Sequence, residues 1–335
     1  MSTTPSDLPL ITVELMRPED AAGVADLFRA VYGEGYPVAD YYHPERLIAA
    51  NREGRIISSV ARTPEGRVVG HNALYHQAPH PRTYESGAGL VLPEFRVANL
   101  FGRLVRHVIE VGGPRFGAEM IWGESVCNHV FTQRLAVSMN YVVMALEVDL
   151  MPAAAYAKEA SAEGRVSCAQ QFQTQIPYPH YVYLPERYAR QITSLYEGFD
   201  DQREFKAASA PLPAGAKTRL DSHIFDYAQV ARITLWQADQ DLDQALAAAE
   251  AQAARRGVVV FQLWLNLGEP WAGAAVEVLR GRGYFLGGLL PRWFGTDGLL
   301  MQKLKAAPNW GTIQILEGRN QAVLEMVRAD WEGLA

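Results

Sequence analysis

The sequence predicts an α+β protein divided into two domains, and three observations lead there. Its 335 residues suit two domains of about 150 each. Residues 11–151 alternate strand-like and helical runs in the order β-α-α-β-β-β-α-β-α-β. An alanine-rich stretch then breaks the composition, and from about residue 240 the chain takes up a similar plan of helix, strand, helix and strand. The expected division is a domain over 10–151, a linker over 152–175 and a second domain over 176–335.

ITVELMR (11–17) has β character, and Pro18 opens a helix. Proline suits a first helical position, Glu19 and Asp20 suit the first turn, and Val24, Leu27, Phe28 and Val31 recur at helical spacing. The loop YGEGYPVADYY follows, rich in tyrosine, before a short helix over 43–54 closed by Gly54. Residues 56–76 read as a hairpin turning at Glu65-Gly66. A strand over 84–93 leads to a helix over 96–111, whose apolar stripe includes Leu100, Leu104, Val105, Val108 and Ile109. Then come a strand (118–126), a helix (131–139) and a strand (141–151). Past the linker, the strand-like YVYLP precedes a helix (186–198) and strands near 217–225 and 229–237. An alanine-rich helix (240–256), the strand VVVFQLWLNL and a helix (271–281) follow. The strands YFLGGLLP and LLMQKL and a helix (316–331) complete the order.

Hydrophobic residues at 49% supply sizeable cores, and a net charge of −6 without a basic stripe argues against nucleic-acid binding. Cys127 and Cys168 lack metal-type spacing and suit a reducing compartment. The start MSTTPSDLPL has no charged and apolar leader regions, and no apolar run reaches the roughly 20 residues a membrane helix needs. A cytoplasmic protein with no membrane partner is therefore expected. His71, His76 and His80 tempt a metal reading, but positions 71 and 76 of one strand point to opposite faces, so no metal is expected.

The run GLVLPEFRVANLFGRL (89–104) is an apolar strand, a proline turn and an arginine ahead of a helix. It resembles the central motif of the GNAT superfamily of N-acetyltransferases, a strand ending V-x-P followed by R/Q-x-x-G-x-G/A at a helix start. PEDAAGVADLF, GRVVGHNAL and Asn140-Tyr141, where the family has Gly-Phe, extend the resemblance over about 11–151. A bacterial subgroup is similar in more detail, through Tyr32-Gly33, Tyr36, Tyr41-Tyr42, Pro44-Glu45, Gly70-His71 and Val126…His129…Gln133. The resemblance implies a mixed, mostly antiparallel sheet flanked by helices, with a second, degenerate GNAT-like domain after it.

The physics of the motif is independent of the family. A helix N-terminus presents unpaired N–H groups and about half a positive charge, and so attracts a pyrophosphate. Glycine lets phosphate approach the backbone. Here Asn99 and Phe101 occupy the two glycine positions. Asparagine tolerates a left-handed conformation, whereas phenylalanine would crowd a phosphate, with Gly102 one position late.

The resemblance places acetyl-CoA, or another acyl-CoA, along the backbone of Leu90, Val91 and Leu92, with Arg96, Val97, Ala98, Asn99, Leu100, Phe101 and Gly102 at the phosphates and Asn128 nearby. Glu85, Glu124 and His129 are the candidate catalytic groups, each matched by a plain alternative as a strand-end charge or helix-cap neighbour. Tyr32, Tyr36, Tyr41 and Tyr42 lie on the loop that covers the acceptor in this fold, or simply pack it. Ala136 stands where many members carry a tyrosine acid. The second half enters its alanine-rich helix through Asp239, Asp241 and Asp243, which repel phosphate. The expected activity is transfer of an acetyl or short acyl group to the primary amine of a small molecule by direct attack, with a homodimer as the expected assembly. The alternatives are a noncatalytic binder of acyl-CoA or another small molecule, and an acyltransferase served by an acyl-carrier protein.

Overall fold

The computed structural model describes residues 10–96, 99–153, 164–199 and 201–334. The chain forms two compact units that divide within one strand, at Gly123/Glu124.

In the first unit, strands β1 (Thr12–Leu15), β2 (Ile56–Arg62), β3 (Val68–His76), β4 (Thr83–Val91) and the first half of β5 (Met120–Val126) lie in chain order. The pairs are antiparallel up to β4, and β4 runs parallel to β5. Pro18–Asp20 form a 3-10 turn that leads into α1 (Ala21–Tyr32). Asp20 ties this helix start to the sheet: it accepts the Arg17 N–H and pairs with the Arg62 guanidinium, both ions buried. The apolar stripe of α1 (Val24, Leu27, Phe28) and Leu47 of α2 (Pro44–Arg52) pack on Val60, Val69 and Ala73 in one core.

The expected helix at 96 begins four residues later, as α3 (Leu100–His107). Pro93–Phe95 form a 3-10 turn, and Asn99 takes φ 56°, ψ 33°. A left-handed residue cannot lie inside a right-handed helix, so α3 starts behind it. The helix continues through a π turn (Val108–Gly112) into α4 (Gly113–Arg115).

Two irregularities shape β4. Its ladder to β5 has three rungs, Thr83↔Met120, Tyr84↔Ile121 and Glu85↔Trp122, and ends there. Its register with β3 shifts between His71 and Ala73, opposite Ala88 at φ 50°. An extra residue in a strand reverses the facing of the residues beyond it. Gly87 accordingly faces Tyr75, while Gly89 faces Asn72 and Phe101.

The second unit contains the rest of β5, α5 (Phe131–Ser138), β6 (Val142–Pro152), β7 (Arg165–Thr174), β8 (His180–Leu184), α6 (Ala189–Tyr196), β9 (Arg203–Ala207), β10 (Arg219–Phe225), β11 (Val230–Gln237), α7 (Leu242–Arg255), β12 (Val260–Asn266), α8 (Ala272–Gly281), β13 (Phe285–Leu290), β14 (Gly298–Leu304) and α9 (Arg319–Glu332). Its main sheet runs β5-β7-β6-β13-β14-β12-β11-β10, and β8 and β9 form a separate parallel pair. Sequence reading gave no strand at β7 or β9. Of the stretch read as a linker, 154–163 lie outside the described residues and 165–174 form β7.

The order of β10 to β14 repeats that of β3 to β7. An antiparallel pair (β10·β11) is followed by a parallel one (β11·β12), with a helix between its strands, and the last strand inserts beside the third (β12-β14-β13). One difference stands out. The parallel pair β11·β12 is laddered through six residue pairs, Val230↔Val260 to Leu235↔Leu265, where β4·β5 has three. Among the described residues, no helix is long and apolar enough to cross a membrane.

Candidate functional site

Glu85 occupies the last rung of the β4·β5 ladder, where the two strands part, and its side chain is buried. Beyond it, Ser86, Gly87, Ala88 and Gly89 are half-buried. Tyr75 lies directly across from Glu85 on β3 and donates from its hydroxyl to Oε1 at 2.7 Å. That hydroxyl rests over Gly87, where any Cβ would overlap it. Sequence reading missed Tyr75, because its partnership follows from cross-strand register and not from local pattern.

The tyrosine loop covers the same face. Phe28 and Tyr41 stack with centroids 4.3 Å apart and planes at 10°. Tyr36 meets Phe28 edge-on at 4.9 Å and Tyr41 at 5.5 Å, and Tyr32 lies 5.1 Å from Tyr36 at the exposed rim. Tyr42 accepts the Tyr36 N–H at 2.8 Å, which fixes the loop's path. Burial first, then the Glu85 carboxylate and neighbouring phenols, holds the hydroxyls of Tyr41 and Tyr75 well above the usual phenol range, and Tyr36 is raised by the same causes. All three are neutral at physiological pH.

His71 supports the bulge. Its Nδ1–H donates to the Ala88 carbonyl at 2.8 Å, so Nε2 is the bare nitrogen that accepts from the Ser58 hydroxyl at 3.0 Å. Full burial lowers its pKa to about 4, consistent with that neutral tautomer.

At the other end of β4, Leu90, Val91 and Leu92 have buried side chains, and Leu92 N–H is spent on Val69 of β3. Arg96 is exposed and folds back so that Nε donates to the Val91 carbonyl at 3.1 Å. The exposed Asn99 lays its carboxamide over Gly102, whose missing Cβ would sit 2.5 Å from Oδ1. Gly102 thus makes room for Asn99. Leu100 is buried, and the Phe101 ring packs against Gly89 and the core cluster. Val97 and Ala98 lie outside the described residues.

The remaining predicted groups belong to the second unit. Glu124 accepts from Arg232 Nη2 at 2.9 Å, and the same guanidinium reaches Glu147 at 3.3 Å. Gln262 donates to Glu147 at 2.7 Å and accepts from Arg232 Nε at 2.8 Å. These contacts join β6 to β12 although two strands separate them in the sheet, so this sheet curves round the cluster. Burial, then the Glu124 carboxylate, holds the Glu147 pKa well above the carboxylate range, and Arg232 opposes this. Asn128 is buried and His129 half-buried just ahead of α5. Gln133 is a clamp: it donates to the carbonyls of His129 and Gln314 and accepts from Leu316 N–H and Asn320.

No protein-family model matches the chain, and no curated protein matches it. Among solved structures, it is similar over half its length to the ribosomal-protein-S5-alanine acetyltransferase of Vibrio fischeri, with 12% identity, a TM-score of 0.40 and 94% of that chain covered. It is similar likewise to yncA of Salmonella typhimurium, solved with its cofactor acetyl-CoA, at 14% identity, TM-score 0.40, with 50% of this chain and 95% of that one covered. A third is the spermidine/spermine N-acetyltransferase SpeG of Vibrio cholerae, at 12% identity, TM-score 0.37, with 49% and 95% covered.

Proposed function

We propose that the chain is an acyl-CoA-dependent N-acyltransferase that carries an acetyl or short acyl group to the amine of a small molecule. One observation carries this reading: the β4·β5 ladder ends at Glu85↔Trp122, so a buried carboxylate stands where the unladdered edge of β4 begins, and the chain runs from that edge to the N-terminus of α3.

The residues present fit such a donor. The edge of β4 beyond Glu85 supplies backbone groups for an extended amide-bearing arm. The start of α3, with Arg96 and Arg103 beside it, suits a pyrophosphate. Arg96 holds its guanidinium on Val91 and would turn outward to reach phosphate. When bound, acyl-CoA supplies an activated thioester carbonyl.

The chain's own groups do the rest. Glu85 takes the proton that the attacking ammonium must lose, and a backbone N–H at the bulge steadies the carbonyl oxygen. The new N–C bond forms as the C–S bond breaks. The proton on Glu85 passes through the Tyr75 hydroxyl toward the departing sulfur, which offsets the absence of a tyrosine at Ala136. Glu124 is committed to Arg232, and His129 and Asn128 are positioned to frame the start of α5; we assign them no proton transfer. The second half is a degenerate copy in this reading, its parallel pair laddered shut and its helix entered through acids.

Calorimetric titration with acetyl-CoA beside free CoA, followed by thiol release across an amine panel, tests the reading. Saturable one-site binding with amine-dependent release is the expected result. Binding without release would favour a noncatalytic binder. No binding at millimolar ligand would exclude free acyl-CoA as donor.

A further inference from the structure

We propose that His71, seated on Ser58, is a positioning residue for the transfer reaction: it holds Ala88 in a left-handed turn that sets how the strand beyond Glu85 is oriented. The kinetic part of this rests on the acyltransferase reading above, and the structural part does not. Between the pairs Ala73↔Gly87 and His71↔Leu90, β3 has one residue, Asn72, and β4 has two, Ala88 and Gly89. This is a β-bulge whose first residue has φ 50°. In a bulge of that kind the position normally belongs to glycine, because an L side chain crowds the following carbonyl oxygen there. Glycines stand on either side, at 87 and 89, yet the strained place is taken by alanine.

Ala88 therefore needs a hold from outside its own strand. His71 supplies it, since Nδ1–H donates to the Ala88 carbonyl at 2.8 Å. The ring is fully buried and fixed in turn: the Ser58 hydroxyl meets Nε2 at 3.0 Å, and Phe28 and Tyr41 stand edge-on to it at 5.4 Å each. The bulge decides which way β4 faces. Glu85 pairs with Tyr75, and Gly87 looks toward the same tyrosine, whereas Gly89 looks toward Asn72 and Phe101 of α3. In an unbulged strand positions 85, 87 and 89 would share one face. The backbone groups beyond Glu85 thus keep their direction relative to its carboxylate only while Ala88 stays left-handed. Strain of this kind persists where the surroundings over-determine it, and it collects at functional sites.

The test compares two amides of different reach. His71→Asn puts its carboxamide nitrogen where Nδ1 stands and can still donate to Ala88, whereas His71→Gln puts it near Nε2 and cannot. With acetyl-CoA and the best amine of the panel, we expect His71→Gln to lower kcat by about tenfold or more and His71→Asn to stay within about threefold of the parent. The carbon shifts of Ala88, read by NMR on protein labelled at alanine, should keep their left-handed values in His71→Asn and lose them in His71→Gln. Ala88→Gly removes the strain, so adding it to His71→Gln should restore kcat to within about threefold of Ala88→Gly alone. A histidine that only supports the core would not be rescued by a glycine on another strand. Absence of that rescue, or equal behaviour of the two amides, would overturn the proposal. Ser58→Ala, a smaller change, carries the same comparison if His71→Gln does not fold, and a loss that persists with Ala88→Gly would again overturn it. If the parent transfers no acetyl group, the acyltransferase reading falls, and the Ala88 shifts alone decide whether His71 holds the bulge.

Discussion

The Tyr75 hydroxyl donates to Glu85 across neighbouring strands at 2.7 Å and lies over Gly87, which has no side chain to push it away. Three residues of two strands thereby fix one proton-bearing pair at the point where β4 and β5 separate.

If that pair moves the proton, Glu85→Gln lowers kcat by about 10²–10⁴-fold with little change in acetyl-CoA affinity, the range typical of a lost general base. Tyr75→Phe lowers it less, and the double variant falls no further than Glu85→Gln. Single-turnover kinetics of the three variants check this. Additive losses would separate the two residues.

The Phe101 ring is part of the first unit's core and lies against Gly89. Phe101→Ala should therefore destabilise the protein by about 2 kcal/mol, less than for a fully buried ring because this one is half-buried. Urea denaturation measures it. Unchanged stability with tightened acetyl-CoA binding would instead make the ring a phosphate obstacle.

His71 binds no extra proton until about pH 4 when folded, against 6.5 for the ordinary side chain. Between those values the unfolded chain holds more protons, so stability rises with pH. The contribution is fully present above about 6.5 and is lost as pH falls through the folded value, at a cost of about 3 kcal/mol. Denaturant titrations from pH 7 to 4 should show this acid slope, reduced in His71→Gln relative to the parent.

In the Glu124–Arg232–Glu147 cluster, burial and then the Glu124 carboxylate push the Glu147 pKa up, so Glu147→Gln, which keeps a neutral hydrogen-bonding group of the same shape in that buried place, is expected to cost less than loss of the arginine. Arg232→Met removes the cation shared by both carboxyls and costs about 3–5 kcal/mol. Thermal and urea unfolding of the two variants compares them, and equal losses would contradict this ordering.

Much of this was legible where local chemistry decides structure. Pro18 with Glu19 and Asp20, Gly54 and Glu65-Gly66 mark element ends that the structure places within a few residues. The start of α3 was not legible, because a left-handed Asn99 supported by Gly102 is a contact between side chain and backbone and leaves the apolar stripe unchanged. Strand β7 was hidden by its composition. Cys168, Gln170 and Gln171 are buried polar residues, and their burial comes from neighbours distant in sequence. The carboxylate Glu85 could be picked out by position, but its partner Tyr75 emerges only from the pairing of β3 with β4.

The unequal ladders carry a consequence for amide exchange. Six rungs hold β11 to β12 and three hold β4 to β5, so amides from Val230 to Leu235 are expected to exchange with solvent more slowly than those from Ser86 to Gly89, which are laddered on the β3 side only. A guest that settles against β4 is therefore expected to slow exchange at Ser86 to Gly89 and to leave that of Val230 to Leu235 unchanged.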